Sequence, residues 1–237
     1  MQLSFKYESI TIGFEVIFRK RQTMAIKVEA PDKITVIVPI GTSKKVIIEK
    51  VQEKASWIYR KLDYYKNIQY LQAPREFVHG ELFMYLGQDY ILNIEINDCL
   101  PRARLELNKE KLFLRTPLFD KNLIEKVIKG WYRQKAREKI EERLSYYLPK
   151  IPKKPNRIVV KEQKSRWGSC SSKGNLNFNW KIIMAPIDVL DYIVVHELCH
   201  LVFLNHSKEF WNMVAAILPD YKLRKEWLKR NGFRMNL

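Results

Sequence analysis

Residues 193–203 read Ile193-Val194-Val195-His196-Glu197-Leu198-Cys199-His200-Leu201-Val202-Phe203, an H-E-x-x-H sequence inside an apolar run. The pattern predicts a helix entered at Pro186 and running to about Leu204. On a helix, a spacing of four puts His196 and His200 on one face, one turn apart, where both imidazoles can reach one ion. Zinc takes imidazole nitrogen at about 2.0–2.1 Å, and catalytic sites use three protein ligands with water in the fourth position. Glu197, adjacent to the first histidine, then stands beside that water as general base. The expected cofactor is Zn2+, with Mn2+ or Ni2+ as other divalent candidates.

The third ligand has to come from elsewhere. His206 lies six residues past His200, beyond Asn205, where a turn at the helix end can fold it back. Glu209 and Asp220 are the other candidates, because carboxylates also bind zinc. His206 is favoured, since a Glu209 ligand would leave it exposed at a turn with no role. The remaining histidine, His79, sits beside Gly80 and reads as a surface or structural residue. Cys199 points away from the face of the two histidines, so it and Cys170 read as small buried apolar residues.

Upstream, Arg166-Trp167-Gly168-Ser169-Cys170 falls between two short strand candidates, Arg157–Lys161 and Asn175–Asn179. Arg166 could hold a substrate carbonyl or phosphate and stabilise developing negative charge, or be the ion-paired neighbour of a core Trp167. Tyr192, Trp211 and Tyr221 are aromatics near the motif, read as packing residues that could include an electrophilic helper. Downstream, helices are expected over Lys208–Leu218 and Tyr221–Lys229, divided by Pro219-Asp220.

The rest of the chain reads as α+β. Alternating runs Thr11–Phe18, Met24–Val28 and Ile34–Val38, divided by Arg19-Lys20-Arg21 and Ala30-Pro31-Asp32, predict a small antiparallel sheet. One helix opens after Thr42-Ser43 with Val46 or Ile47, Val51, Ile58 and Leu62 on its inner face, and stops before Pro74. Two hairpins follow, turning at Leu86-Gly87-Gln88-Asp89 and at Asn108-Lys109-Glu110. A long helix from Asp120 carries Leu123, Val127, Trp131, Ile140, Leu144 and Leu148 on one side and ends at Pro149 and Pro152. The change of period sets the expected domains: 1–118, strand-rich with one helix, and 119–237, the metal region. No internal repeat is visible.

Of 237 residues, 43 are Lys or Arg and 26 Asp or Glu, a net charge of +17 that splits as +9 over residues 1–150 and +8 over the rest. That field draws phosphates, nucleic acid or anionic lipid without choosing among them. The N-terminus lacks the apolar core of a signal peptide, and no stretch is long enough to span a bilayer, so a cytoplasmic protein without a membrane partner is expected. Three widely spaced cysteines without a CxxC exclude a disulfide framework and a thiolate zinc site.

Lys164-Ser165-Arg166-Trp167-Gly168-Ser169-Cys170, Asn179-Trp180, Ala185-Pro186, Asp191-Tyr192, the H-E-x-x-H run, Asn205-His206-Ser207 and Phe210-Trp211 together resemble the YgjP-like metal-dependent hydrolase family. Trp57-Ile58, Gly80-Glu81 and Tyr85-Leu86-Gly87 extend the resemblance over nearly the whole chain. It implies a zincin-like metallopeptidase fold for residues 119–237, with His196, His200 and His206 as ligands and Glu197 as catalytic base. Similarity of that family to SprT-like proteases implies a protein or peptide substrate, in the proximity of nucleic acid. A second activity attributed to the family, metal-dependent pyrophosphatase action on nucleoside triphosphates, notably UTP, makes a nucleotide the alternative substrate. A nucleic-acid-binding module with structural zinc is the third reading, opposed by the lack of a fourth protein ligand.

Overall fold

The computed structural model describes residues 1–8, 10–29, 32–71, 75–109, 111–163 and 165–237. Ala30, Pro31, Pro74, Glu110 and Lys164, which enter the breakers, turn and motif above, lie outside the described residues. The architecture is α+β, in two compact units, Met1–Pro74 and Arg75–Leu237. The compact units thus divide at a different place from the change of side-chain period at 118/119. Side-chain periodicity does change there, but packing does not: Phe83, Leu92, Leu112 and Leu114 share one buried cluster with Ile124, Ile128, Trp131, Val195 and Leu198.

In the first unit, β1 (Gln2–Tyr7), β2 (Ile10–Arg19), β3 (Ala25–Glu29) and β4 (Lys33–Pro39) form a sheet in the order β1-β2-β4-β3. Alternation places Ile12, Phe14 and Val16 of β2 and Val36 and Val38 of β4 on the buried face. The pair β2/β4 is parallel, in register from Glu15↔Thr35 to Arg19↔Pro39, so the expected antiparallel sheet is mixed. Alternation alone cannot tell the two pairings apart, because both have a side-chain period of two. The single expected helix is two, α1 (Lys44–Gln52) and α2 (Ala55–Leu71). Ser43 caps α1 by accepting from the Val46 amide, and the ladder breaks where the Lys54 amide bonds Val51 instead of the residue four back. Ile47, Val51, Ala55 and Ile58 all close on the sheet core, each fully buried Val or Ile contributing about 1.5–3 kcal/mol.

The second unit opens with β5 (Leu82–Tyr85), β6 (Gln88–Ile96), β7 (Arg104–Asn108) and β8 (Lys111–Thr116), in the order β5-β6-β8-β7 with β6/β8 parallel. The topology of the first sheet is thus repeated, although the sequence shows no repeat; strand order asks only for alternation and turns, which many sequences satisfy. The β5/β6 turn is tighter than expected: Leu86 and Gly87 take φ of +47° and +81°, and Gln88 already pairs with Tyr85. Both residues in the left-handed region suit a two-residue hairpin, for which glycine has no Cβ penalty.

The helix α3 (Lys121–Tyr147), capped by Asp120 on the Leu123 amide at 2.6 Å, buries Ile124, Ile128, Trp131, Tyr132, Ala136, Ile140 and Leu144. Its inner stripe starts one residue later than expected, leaving Leu123 and Val127 half-buried. A three-stranded sheet follows, β9 (Arg157–Lys161), β10 (Gly168–Cys170) and β11 (Asn175–Asn179), in the order β10-β11-β9. β10 was not expected, being three residues long and free of a resolvable period. After a 3-10 turn at Trp180–Met184 come α4 (Ile187–Cys199), α5 (Lys208–Ile217) and α6 (Tyr221–Asn231). Among the described residues no helix is long and apolar enough to cross a membrane.

Two contacts position α4. The β5/β6 turn docks on the 3-10 turn before it, with the Leu86 and Gly87 amides donating to the Ile183 and Met184 carbonyls at 2.9 Å each. A Cβ at Gly87 would lie 2.7 Å from Pro186 Cγ and 3.0 Å from its Cα. On the other side, Arg143 of α3 makes a two-pronged pair with Asp191 of α4 at 2.6 and 2.9 Å, and the Tyr147 hydroxyl donates to the same carboxylate at 2.9 Å. Asp191→Ala should cost about 2–4 kcal/mol, because it leaves Arg143 and Tyr147 without their shared partner in a largely buried site. Denaturant unfolding checks this; an unchanged midpoint would mean that the pair does not hold α4.

Candidate metal centre

α4 is buried along ten of its thirteen residues. His196 and Glu197 lie in its last turn, and His200 is its C-cap in a right-handed helical conformation. The helix thus ends at Cys199 rather than Leu204, and residues 201–207 carry the chain back over its end. His206 returns there, with its Nε2 3.1 Å from Nε2 of His196, which is 3.2 Å from Nε2 of His200. The three ligand atoms all lie within 4.8 Å of one another.

These residues fit a metal. The Phe203 carbonyl, which only accepts, sits 2.9 Å from His200 Nδ1, so that nitrogen carries the hydrogen and Nε2 presents its lone pair to the other two rings. Where His196 and His206 also turn an Nε2 lone pair to this point, the three nitrogens repel unless a cation lies among them. Around a tetrahedral zinc at about 2.0–2.1 Å, ligand nitrogens stand about 3.3 Å apart, close to the 3.2 and 3.1 Å that separate His196 Nε2 from the other two. Burial, then the neighbouring His200 and His206, push the His196 imidazole down to about 3, and burial lowers His206 as well. Both are therefore neutral near pH 7, the state in which imidazole ligates.

Aromatic rings wall the triad. Phe210 stacks on His200 with centroids 4.5 Å apart, Trp211 stacks on His206 at 5.4 Å, and Tyr192 meets His196 edge-on at 5.7 Å. Burial pushes the Tyr192 hydroxyl up to about 12. Phe210 has no counterpart among the expected site residues, because a phenylalanine in an amphipathic helix carries no signal beyond packing.

Glu197 is 4% exposed, and burial pushes its carboxyl up to about 8, with the Arg166 charge acting in the opposite direction. Its Oε2 is buried without a protein partner. A divalent cation in the triad would act as Arg166 does, favouring the carboxylate. The carboxyl lies against the backbone of β10: a Cβ on Gly168 would fall 2.6 Å from Glu197 Cγ and Oε1. Sequence reasoning missed this role of Gly168, because the segment between the two strand candidates shows no period that would place its glycine in a strand.

Arg166 is exposed at the edge of this site, and its backbone is held from below by Asn179, whose Nδ2 donates to the Gln163 and Arg166 carbonyls at 2.9 and 3.1 Å. Trp167 is half-buried and packs against the core. The competing ligands lie elsewhere. Glu209 is exposed in the first turn of α5, where a hydrogen bond with Ser207 lowers its carboxyl, and Asp220 pairs with Arg224 at 2.9 Å. Cys199 is buried and its thiol pushed up to about 12 by burial, while Cys170 is half-buried.

Replacing His196, His200 or His206 by Ala should weaken zinc binding by more than about 100-fold, a larger loss than removal of a supporting residue gives. Glu197→Gln and Glu209→Gln should each keep one zinc per chain. Chelator competition with metal analysis reads this; retention of zinc in His206→Ala and its loss in Glu209→Gln would exchange the two ligands.

A search of curated proteins finds no match. Among solved structures, the chain is similar to the metallopeptidase zymogen of Pyrococcus abyssi abylysin, with 23% identity and a TM-score of 0.34 over 38% of this chain and 90% of that one. The sequence model of the YgjP-like family, metallopeptidase domain, matches residues 22–231, most of the length, and on that match the chain belongs to the YgjP-like metallopeptidase family.

Proposed function

We propose that this protein is a zinc-dependent peptidase of zincin type, with His196, His200 and His206 holding the metal and Glu197 as the catalytic base. The observation that carries it is the convergence of three imidazole nitrogens beside a buried carboxyl with a free oxygen. When bound, zinc supplies Lewis acidity, making a water more acidic and a carbonyl more electrophilic.

Glu197 accepts the water's proton at Oε2 and later delivers it to the leaving amine. Gly168 keeps that carboxyl aimed by presenting bare backbone where any side chain would collide with it. Arg166 holds the scissile carbonyl oxygen as negative charge grows on it, since its guanidinium is exposed and its field already reaches Glu197. β10 is an edge strand, pairing among the described strands only with β11. An extended peptide can add to its outer edge, which brings a backbone amide alongside Glu197 and favours a peptide over a compact substrate.

Glu197→Gln should lower peptide cleavage by about 10²–10⁴-fold while zinc stays bound, and full activity in that variant would overturn the mechanism. Pyrophosphate release from UTP that disappears in Glu197→Gln, with no cleavage of any peptide, would replace the peptidase reading by nucleotide hydrolysis. Gly168→Ala should also bind zinc normally yet cleave at least about tenfold more slowly, because the new Cβ displaces the carboxyl. Unchanged turnover there would mean that Glu197 needs no such support.

A further inference from the structure

The ring ladder that begins at the triad continues away from it. His206 stacks on Trp211, and Trp211 stacks on Tyr221 with centroids 5.3 Å apart and planes 18° from parallel. Trp211 and Tyr221 then form the floor of a cleft of about 630 Å³ whose other lining residues are Lys222, Lys225, Glu226 and Lys229. The cleft is thus joined to the metal centre through one shared aromatic wall.

Its charge is not balanced. Glu226 is engaged by Arg230 at 3.0 Å and Lys229 at 3.5 Å. Lys222 and Lys225 have no carboxylate within ion-pair distance among the described residues, and both are exposed. The Lys225 ammonium sits 4.4 Å from the Trp211 ring centroid, a cation–π contact that leaves its N–H donors available. The helix bearing these lysines is anchored as well: Arg224 pairs with Asp220 and donates to the Asp188 carbonyl of α4 at 2.9 Å. An ammonium over an aromatic floor recognises a carboxylate on an apolar stem, the floor taking the stem and the ammonium the charge.

We infer that this cleft is a specificity subsite for an acidic group of the substrate, the side-chain carboxylate of Asp or Glu or the free C-terminal carboxylate of a peptide, bound by Lys222 and Lys225. The inference rests on the peptidase reading and names the substrate class of that same site.

The test is calorimetric binding of blocked hexapeptides that differ only by Glu against Gln, and of one with a free against an amidated C-terminus, to full-length zinc-loaded Glu197→Gln protein. The Glu peptide, or the free acid, should bind about fivefold or more tightly than its neutral partner at low salt. The preference should vanish in the same protein carrying Lys222→Gln and Lys225→Gln. Which pair shows it tells a side-chain carboxylate from a terminal one. Equal affinities in both pairs, or a preference that survives loss of the two lysines, overturn the subsite, as does tight binding of inorganic triphosphate to these lysines without discrimination among peptides.

Cleavage of the same peptides by the wild-type protein separates the two readings. Hydrolysis blind to the acidic group overturns the subsite and leaves the peptidase standing. An acid preference in binding without hydrolysis of any peptide keeps the subsite and removes the peptidase.

Discussion

A helix buried on nearly every face has to carry two imidazoles and a carboxyl, and most of the second unit answers that constraint. Apart from Asp188, exposed in its first turn, the polar groups on α4 are largely removed from solvent and need partners within the fold. Asp191 finds Arg143 and Tyr147. His200 finds the Phe203 carbonyl through its Nδ1. What remains without a protein partner is confined to the metal end: His196 Nδ1 and Glu197 Oε2. Asp191, by contrast, has all its partners within the fold, and the two unsatisfied atoms lie where chemistry is the natural use of them.

The same constraint accounts for the hairpin at Leu86-Gly87 and the short strand β10. The hairpin closes on the turn preceding α4 through two amide donors, with no room for a side chain at Gly87. β10 covers Glu197 through Gly168, which also leaves no room for one. Two glycines thus let backbone approach α4 at its two ends, one locating the helix and one locating its carboxyl. The strands of residues 82–116 belong to the metal unit for this reason, and the packing boundary falls at Pro74 rather than where the period changes.

The basic character of the chain takes on a local meaning beside the triad. A net charge of +17 spread over a surface attracts anions without selecting among them. Lys222 and Lys225 instead line a cleft with Trp211 and Tyr221, whose rings continue the stack from His206. Their position on α6 owes nothing to the excess charge itself and depends on Arg224 tying that helix to α4.

Much of this protein was legible in the linear order of residues. Helical spacing alone brings His196 and His200 to one face and sets Glu197 beside them. Apolar periods locate α3, α5 and α6, and Ser43 and Asp120 mark helix starts by the capping chemistry of their side chains. These are local properties, decided within one or two turns of chain. Three things were not local: the parallel pairing at the centre of both four-stranded sheets, the closeness of Gly168 to Glu197, and the return of His206 to within 3.1 Å of His196. Pairing direction leaves no trace in a period of two, and a glycine looks the same in a turn as under a carboxyl. The third imidazole reaches the others only because the chain reverses at the end of a buried helix. Sequence specified which groups could do chemistry, and tertiary packing decided which of them meet, because distance between residues far apart in the chain is set by burial and not by spacing.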